Sequence, residues 1–545
     1  MAADLAIVGG SVHTVDDALP RAEAVAVARG RIVAVGDDDD IRSLIGPSTE
    51  VIDAAGATVL PGIVDAHNHV RLGSNPGAVQ LFGATSLQEI RARVDAYAAA
   101  HPDAAWIEGE GWNYAAIPGG SPTYEMLDGC GGAAALFLFS YDVHTVWLNR
   151  EAMRRLHIDG SDVHLAWGTV ELDPRTGAPT GYIHDFAVLG ISEEGQRALE
   201  PHVPGYAPDR QYERLVASLE MATALGITTI VEPQNGLDDI ELFVRASDEG
   251  MLRSRLIAAM LCLPDTTAQR LDALVEAKVT YADDRFRVAP IKLYIDDVVE
   301  PHTAAMLEPY ANADTQGDTF WEPAAFAAFL QELERRGLQA FTHATGDRGI
   351  RTVLDAVQSC RERFGPADVR HQIVHVECVH PDDIARFGEL GVVACMQPRH
   401  CAPDIVADWR ANVGPARERY AWPFRSIVAA GGSLAFSSDW NVAEMDPMTW
   451  LYTAVTRADL DGDGAWNLDE TVDLATAVRA ATLGSAHANF LEDRRGSIAV
   501  GKDADVIVLD KDLFAMRDPR EILETRVTHT VVGGDVVYRA GAGAR

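Results

Sequence analysis

The sequence predicts an α/β fold: a (β/α)8 TIM barrel, a composite β-sandwich domain built from both chain ends, and an inserted subdomain after the first barrel strand. Three observations predict it. Eight continuous apolar runs, TVLPGIVDAH, GITTIVE, SRLIAAMLC, VAPIKLYID, LQAFTHAT, RHQIVHVE, VVACMQP and SLAFSSDW, are separated by helix-length segments, and a parallel sheet buried on both faces requires strands of that kind. Both chain ends instead show short apolar runs broken by glycine and aspartate turns. LAIVGG, AVAVARG and RIVAVG lie near the start, GSIAVGKDADVIVLDKD and THTVVGGDVVYRAG near the end, and such runs read as strands and hairpins. The interval from about residue 70 to 225 is long for one crossover and carries a strand of its own, AALFLFSYD. The expected division is a β-domain of residues 1–57 and 490–545 and a barrel of residues 58–489 with the insert inside it.

A chain of 545 residues exceeds what one compact core organises, so several folding units are expected. The formal net charge of −35 repels nucleic acid and anionic membrane surfaces and leaves small neutral or cationic molecules as partners. Six scattered cysteines without a C-x-x-C pair fit a reducing cytoplasm. The start, MAADLAIVGG, has no basic segment followed by an apolar one, and no apolar run reaches the length of a membrane span. The expectation is a soluble cytoplasmic protein acting on a small-molecule substrate, with a homodimer left open.

Ionisable residues stand where the apolar runs end, and the carboxyl ends of barrel strands surround a barrel's active site. In DAHNHV, His67 and His69 are two apart at the end of a strand, so both imidazoles point to one side and can chelate one metal ion. Lys292, one of only four lysines, lies inside the fourth run, IKLYID. An ammonium facing the barrel interior is costly to bury. It either faces outward, pairs with Asp296 or Asp297, or carries CO2 as a carbamate whose oxygens can bridge two cations. His343 closes the fifth run, His375 lies in the sixth and Asp439 follows the eighth. A lone histidine at a strand end is more often structural than ligating; six such residues on five runs, in this order, point to metal. Asp439, beside a metal-activated water, would take its proton and return it to a departing nitrogen.

In this order the residues resemble the amidohydrolase superfamily, with H-x-H on the first strand, lysine on the fourth, histidines on the fifth and sixth, and aspartate on the eighth. Within it the chain is similar to the YtcJ-like, or amidohydrolase-3, branch, which includes N-substituted formamide deformylases. PGIVDAHNH, SYDVHTVWLNREAM, PTGYIHD, KLYIDDVVEPHTAAMLEPY, THATGDRGIRTVLDA, SSDWNVAEMDP and GSIAVGKDADVIVLD carry the likeness. The resemblance implies a metal shell of His67, His69, Lys292, His343, His375 and Asp439. It implies two zinc ions, a carboxylated Lys292, and cleavage of an amide-type C–N bond in an N-formyl or N-acyl amine. It also implies substrate contacts from Asp142 and His144. Aromatic residues crowd the insert, and Trp112, with Trp440 beside Asp439, would favour an apolar or aromatic substituent.

DLDGDGAWNLDE matches a calcium-loop pattern, placing Asp459, Asp461, Asp463 and Glu470 as Ca2+ ligands; the other reading is a solvated linker ahead of a helix. Two other functions stay open: hydrolytic deamination of a ring or amidine, against which Lys292 counts, and a regulatory or binding protein that has lost chemistry, against which the full ligand set counts.

Overall fold

The computed structural model describes residues 2–541 except 74, 76, 120, 161 and 162. Its centre is an eight-stranded sheet whose order follows the chain: β1 (Ile63–Asp65), β2 (Ile227–Asn235), β3 (Arg255–Leu261), β4 (Phe286–Tyr294), β5 (Ala340–Ala344), β6 (Gln372–His375), β7 (Val393–Met396) and β8 (Ser433–Phe436). All eight predicted runs form these strands. The recorded neighbour pairs are parallel, and the two end strands meet where Ala66 N–H reaches the Phe436 carbonyl at 3.5 Å. The sheet is therefore an almost closed barrel. β2 and β3 are buried at every residue, because helices such as Ala268–Thr280, Pro323–Arg335 and Asp347–Phe364 lie between successive strands in the chain. Val64, Val231, Ile257, Phe341, Val374 and Val393 belong to one buried cluster, so the barrel interior is a packed core.

The chain divides into two compact units. The first, residues 1–70, 218–233 and 243–545, holds the barrel and both chain ends. There a six-stranded sheet joins Ser11–His13 and Thr58–Pro61 to Val506–Leu509, Val527–Val532 and Asp535–Arg539. A four-stranded sheet holds Leu5–Val8, Ala24–Ala28, Arg31–Gly36 and Glu50–Asp53. Leu5, Ile7, Val25, Val59, Val506 and Val531 share one buried cluster, so residues from both chain ends pack together. The second unit, residues 71–217 and 234–242, is organised by a seven-stranded mixed sheet with Ala135–Ser140 at its heart.

Trp112 was expected to face substrate, and the structure corrects this. Its side chain is fully buried in the second unit's core, packs edge-on against Tyr114 and Trp147, and donates its indole N–H to the Leu138 carbonyl at 3.0 Å. The calcium ligand set is also corrected. Glu470 is buried, and its carboxylate accepts the backbone N–H of Ser426 at 2.9 Å and the Ser426 hydroxyl. Asp459 accepts the N–H of Asp463 at 2.7 Å. Among the described residues no three acidic groups of this loop converge as metal donors do.

Candidate metal centre

The H-x-H pair sits just past the end of β1, and Asp439 three residues past the end of β8. The two segments are zipped together: Asp439 N–H donates to the His67 carbonyl at 2.9 Å and His69 N–H to the Trp440 carbonyl at 2.6 Å. Beneath them Asp65 accepts the Ser438 hydroxyl at 2.6 Å, the Ser438 N–H at 3.0 Å and the Asn68 amide at 2.8 Å. Burial pushes the Asp65 carboxyl up to about 6 against those donors.

Above this anchor, three donor atoms form a small triangle. His67 Nε2 and His69 Nε2 are 3.3 Å apart, and Asp439 Oδ1 lies 3.2 Å from the first and 3.3 Å from the second. Ligands held about 2.0–2.1 Å from a tetrahedral zinc stand about 3.3 Å from one another, so the triangle has the edge length of a zinc shell. Asp439 Oδ1 is buried without a hydrogen bond, a cost that a cation among the three atoms would offset. Burial pushes His67 down to about 3, with Lys292 adding to the effect, and His375 well below its ordinary value. Both are therefore neutral, with a lone pair for a metal. Burial pushes the Asp439 carboxyl up, but the imidazoles of His67, His69 and His375 outweigh it and hold the group well below the usual carboxylate range. These residues fit a bound cation.

His375 Nδ1 faces the other Asp439 oxygen, Oδ2, at 3.8 Å, and His67, His375 and Asp439 together offer three converging buried donors. The imidazoles of His343 and His375 lie 4.4 Å apart, centre to centre, and His343 Nε2 is 3.1 Å from the Asp297 carbonyl. Strand register puts Lys292 opposite Phe341 and Tyr294 opposite His343, so Lys292 shares the interior face with Phe341. It does not face outward. Nor does it pair with the neighbouring aspartates: Asp296 accepts the N–H groups of Ala305, Thr345 and Gly346 at 3.0, 3.1 and 2.9 Å, and Asp297 accepts the Thr303 hydroxyl at 2.8 Å. A Cβ on Gly349 would stand 2.4 Å from Asp296 Oδ2, so only glycine allows this approach. Burial, opposed by Asp439 and Glu232, lowers the Lys292 ammonium to about 7.

Three residues here escaped the sequence reading. Glu232 lies within β2, is completely buried and acts electrostatically on Lys292. Glu377 is buried two residues after His375, and His400 lies on the turn Pro398–Cys401 after β7. The signal for Glu232 was present, since its run ends on it. The same signal marks Glu377, which closes RHQIVHVE; His400 lies beyond the end of its strand. Asp142 accepts the Tyr114 hydroxyl at 3.1 Å, the Ser140 hydroxyl at 2.5 Å and the His144 N–H at 3.1 Å, so its carboxylate is occupied within its own unit. The His144 carbonyl accepts the Phe186 N–H at 3.0 Å. Trp440 is half-buried beside Asp439.

A sequence profile of the amidohydrolase family matches residues 50–538. The chain belongs to the amidohydrolase family. It is thus a hydrolase of a metal-dependent superfamily. Among curated members it is similar to the protein LONG AFTER FAR-RED 3 of Arabidopsis thaliana, 28% identical over 98% of this chain and 92% of that protein. Two further relatives are 26% identical: the putative amidohydrolase YtcJ of Bacillus subtilis, over 97% of this chain and 98% of that one, and the N-substituted formamide deformylase of Arthrobacter pascens, over 98% of each. The resemblance to the YtcJ-like branch of amidohydrolases is borne out. An uncharacterized metal-dependent hydrolase from Pyrococcus furiosus has the same fold, with a TM-score of 0.71, 24% identity, and coverage of 95% of this chain and 99% of that one.

Proposed function

We propose that this amidohydrolase cleaves an amide-type C–N bond in an N-formyl or N-acyl amine, with divalent cations, two zinc ions, at the barrel mouth. The observation that carries the reading is the triangle of His67, His69 and Asp439 donors at 3.2–3.3 Å. Those three residues would hold the first cation. Lys292, as the carbamate formed when its neutral amine adds CO2 and loses a proton, would hold a second with His343 and His375. A cation so held lowers the pKa of a bound water and polarises a carbonyl.

The protein's own groups do the rest. Asp439 turns Oδ1 to His67 and His69, which leaves Oδ2 to take the proton of the attacking water and return it to the departing nitrogen. The Ser438–Asp65 hydrogen bonds keep the Asp439 segment from turning away. Trp440, next in the chain, offers an apolar wall to the amine substituent. The N-formyl arm rests on likeness to the formamide deformylase.

The test is a panel of N-formyl and N-acyl amines. Wild type should release amine from members of it, and Asp439→Asn should lower kcat by about 10²–10⁴-fold while keeping its fold. A zinc-loaded wild type inert to the whole panel, or an Asp439→Asn as active as wild type, would overturn the reading.

A further inference from the structure

Beside the first donor set lies a second one that neither the H-x-H motif nor the interior lysine contributes to. His375, Glu377 and His400 each offer a donor atom, all within 4.8 Å of one another. His400 Nδ1 lies 3.8 Å from Glu377 Oε1, its Nε2 lies 3.5 Å from Asp439 Oδ2, and its ring stacks parallel to that of His375 with centres 5.8 Å apart.

The chain holds these groups in place by unrelated means. His375 and Val376 both have left-handed backbones, φ 78° and 54°, which swing Glu377 off the strand direction. Trp409 donates its indole N–H to Glu377 Oε2 at 3.0 Å, leaving Oε1 for His400. The turn bearing His400 is fixed on one side by Arg399, paired with Glu444 and Asp404 at 2.8 and 3.0 Å. On the other side Trp466 donates to the Cys401 carbonyl at 2.7 Å. Glu377 is only 6% exposed and, among the described residues, has no arginine or lysine in ion-pair contact. A carboxylate buried that way is costly unless a positive charge sits against it.

We propose that His375, Glu377 and His400 form a second cation seat that does not need CO2: two imidazoles and one carboxylate, the donor set that zinc accepts with an open position. This rests on the metal-hydrolase reading above. His375 is common to both alternatives for the second cation. The seat is therefore the one open while Lys292 is an amine, and carboxylation of Lys292 offers the cation the other.

The experiment is equilibrium dialysis of metal-free protein against Co2+ in CO2-depleted buffer and in bicarbonate, read by metal content and by cobalt d–d absorption. Circular dichroism serves as the folding control. Wild type and Lys292→Met should take up two equivalents without CO2. Glu377→Gln, which keeps an acceptor for Trp409, and His400→Asn should each take up one, and bicarbonate should restore the second. A wild type that binds one equivalent until bicarbonate is added, or variants at Glu377 and His400 that bind two without it, would overturn the seat alone. A wild type that binds none would overturn the hydrolase reading as well.

Discussion

Removing the Ser438 hydroxyl deletes the 2.6 Å hydrogen bond to Asp65 and the acceptor of the Trp440 N–H at 3.0 Å, without touching any atom of the donor triangle. Groups that orient ligands from behind typically contribute about 10–100-fold in metal affinity. Ser438→Ala should therefore weaken zinc binding by about that factor, measured by competition with a chromophoric chelator, and melt close to wild type. Asp65 and Ser438 do this work from within DAHNH and SSDW, yet the sequence marks only the ligands. His67 and His69 were legible because a strand's period of two fixes their common side. Glu377 closes RHQIVHVE, but its direction was not legible, because the left-handed pair His375–Val376 ends that period, and such residues, costing on the order of 1 kcal/mol each, are written into no propensity pattern.

At the scale of elements, the barrel strands were readable because burial on both faces leaves no polar alternation to misread. The insert's aromatic residues misled for the opposite reason: density of Trp and Tyr does not say which face of a sheet they occupy, and Trp112 turned inward. The aspartate loop fitted a spacing, but Glu470 bonds to Ser426 instead. Contacts between distant elements yield two predictions. Arg255, the first residue of β3, is buried with Asp505 of the C-terminal region, Nε to Oδ2 at 2.9 Å and Nη2 to Oδ1 at 3.0 Å. Asp505→Ala removes both hydrogen bonds while Asp284 still pairs with Arg255, and should destabilise the protein by about 1.5–3 kcal/mol, visible as a fall in melting temperature; an unchanged melt would mean the pair does not tie the C-terminal region to the barrel. His13, on the strand Ser11–His13, stacks on Phe514 at 3.5 Å. Burial, aided by Arg21, lowers it to about 4 from 6.5. The unfolded chain therefore binds the proton more readily, and this contribution to stability is present above pH 6.5 and lost as pH falls toward 4. His13→Gln should flatten the fall of melting temperature across that window; an identical slope in wild type and variant would assign the acid sensitivity elsewhere.

For the whole molecule, the sequence conveyed architecture better than specificity. Net charge and the run of eight strands delimit the class of protein, whereas the shape of a substrate pocket depends on loops whose contacts no periodicity encodes. We propose that the sheets of the two chain ends form one composite β-domain: residues from the first 60 positions and from beyond 497 share a single buried cluster. On this view the C-terminal strands belong to the folding unit, and their loss would expose Thr58–Pro61, which they flank in the six-stranded sheet. The central claim, that the donor cluster at the barrel mouth performs metal-dependent cleavage of an amide-type bond, is tested most directly by removing and restoring the metal. Protein dialysed against chelator and then titrated with Zn2+ should regain hydrolysis of an N-formyl amine in proportion to cation bound, while His69→Asn treated identically should regain neither full occupancy nor activity. Activity that survives metal removal, or full zinc uptake by His69→Asn with wild-type turnover, would contradict it.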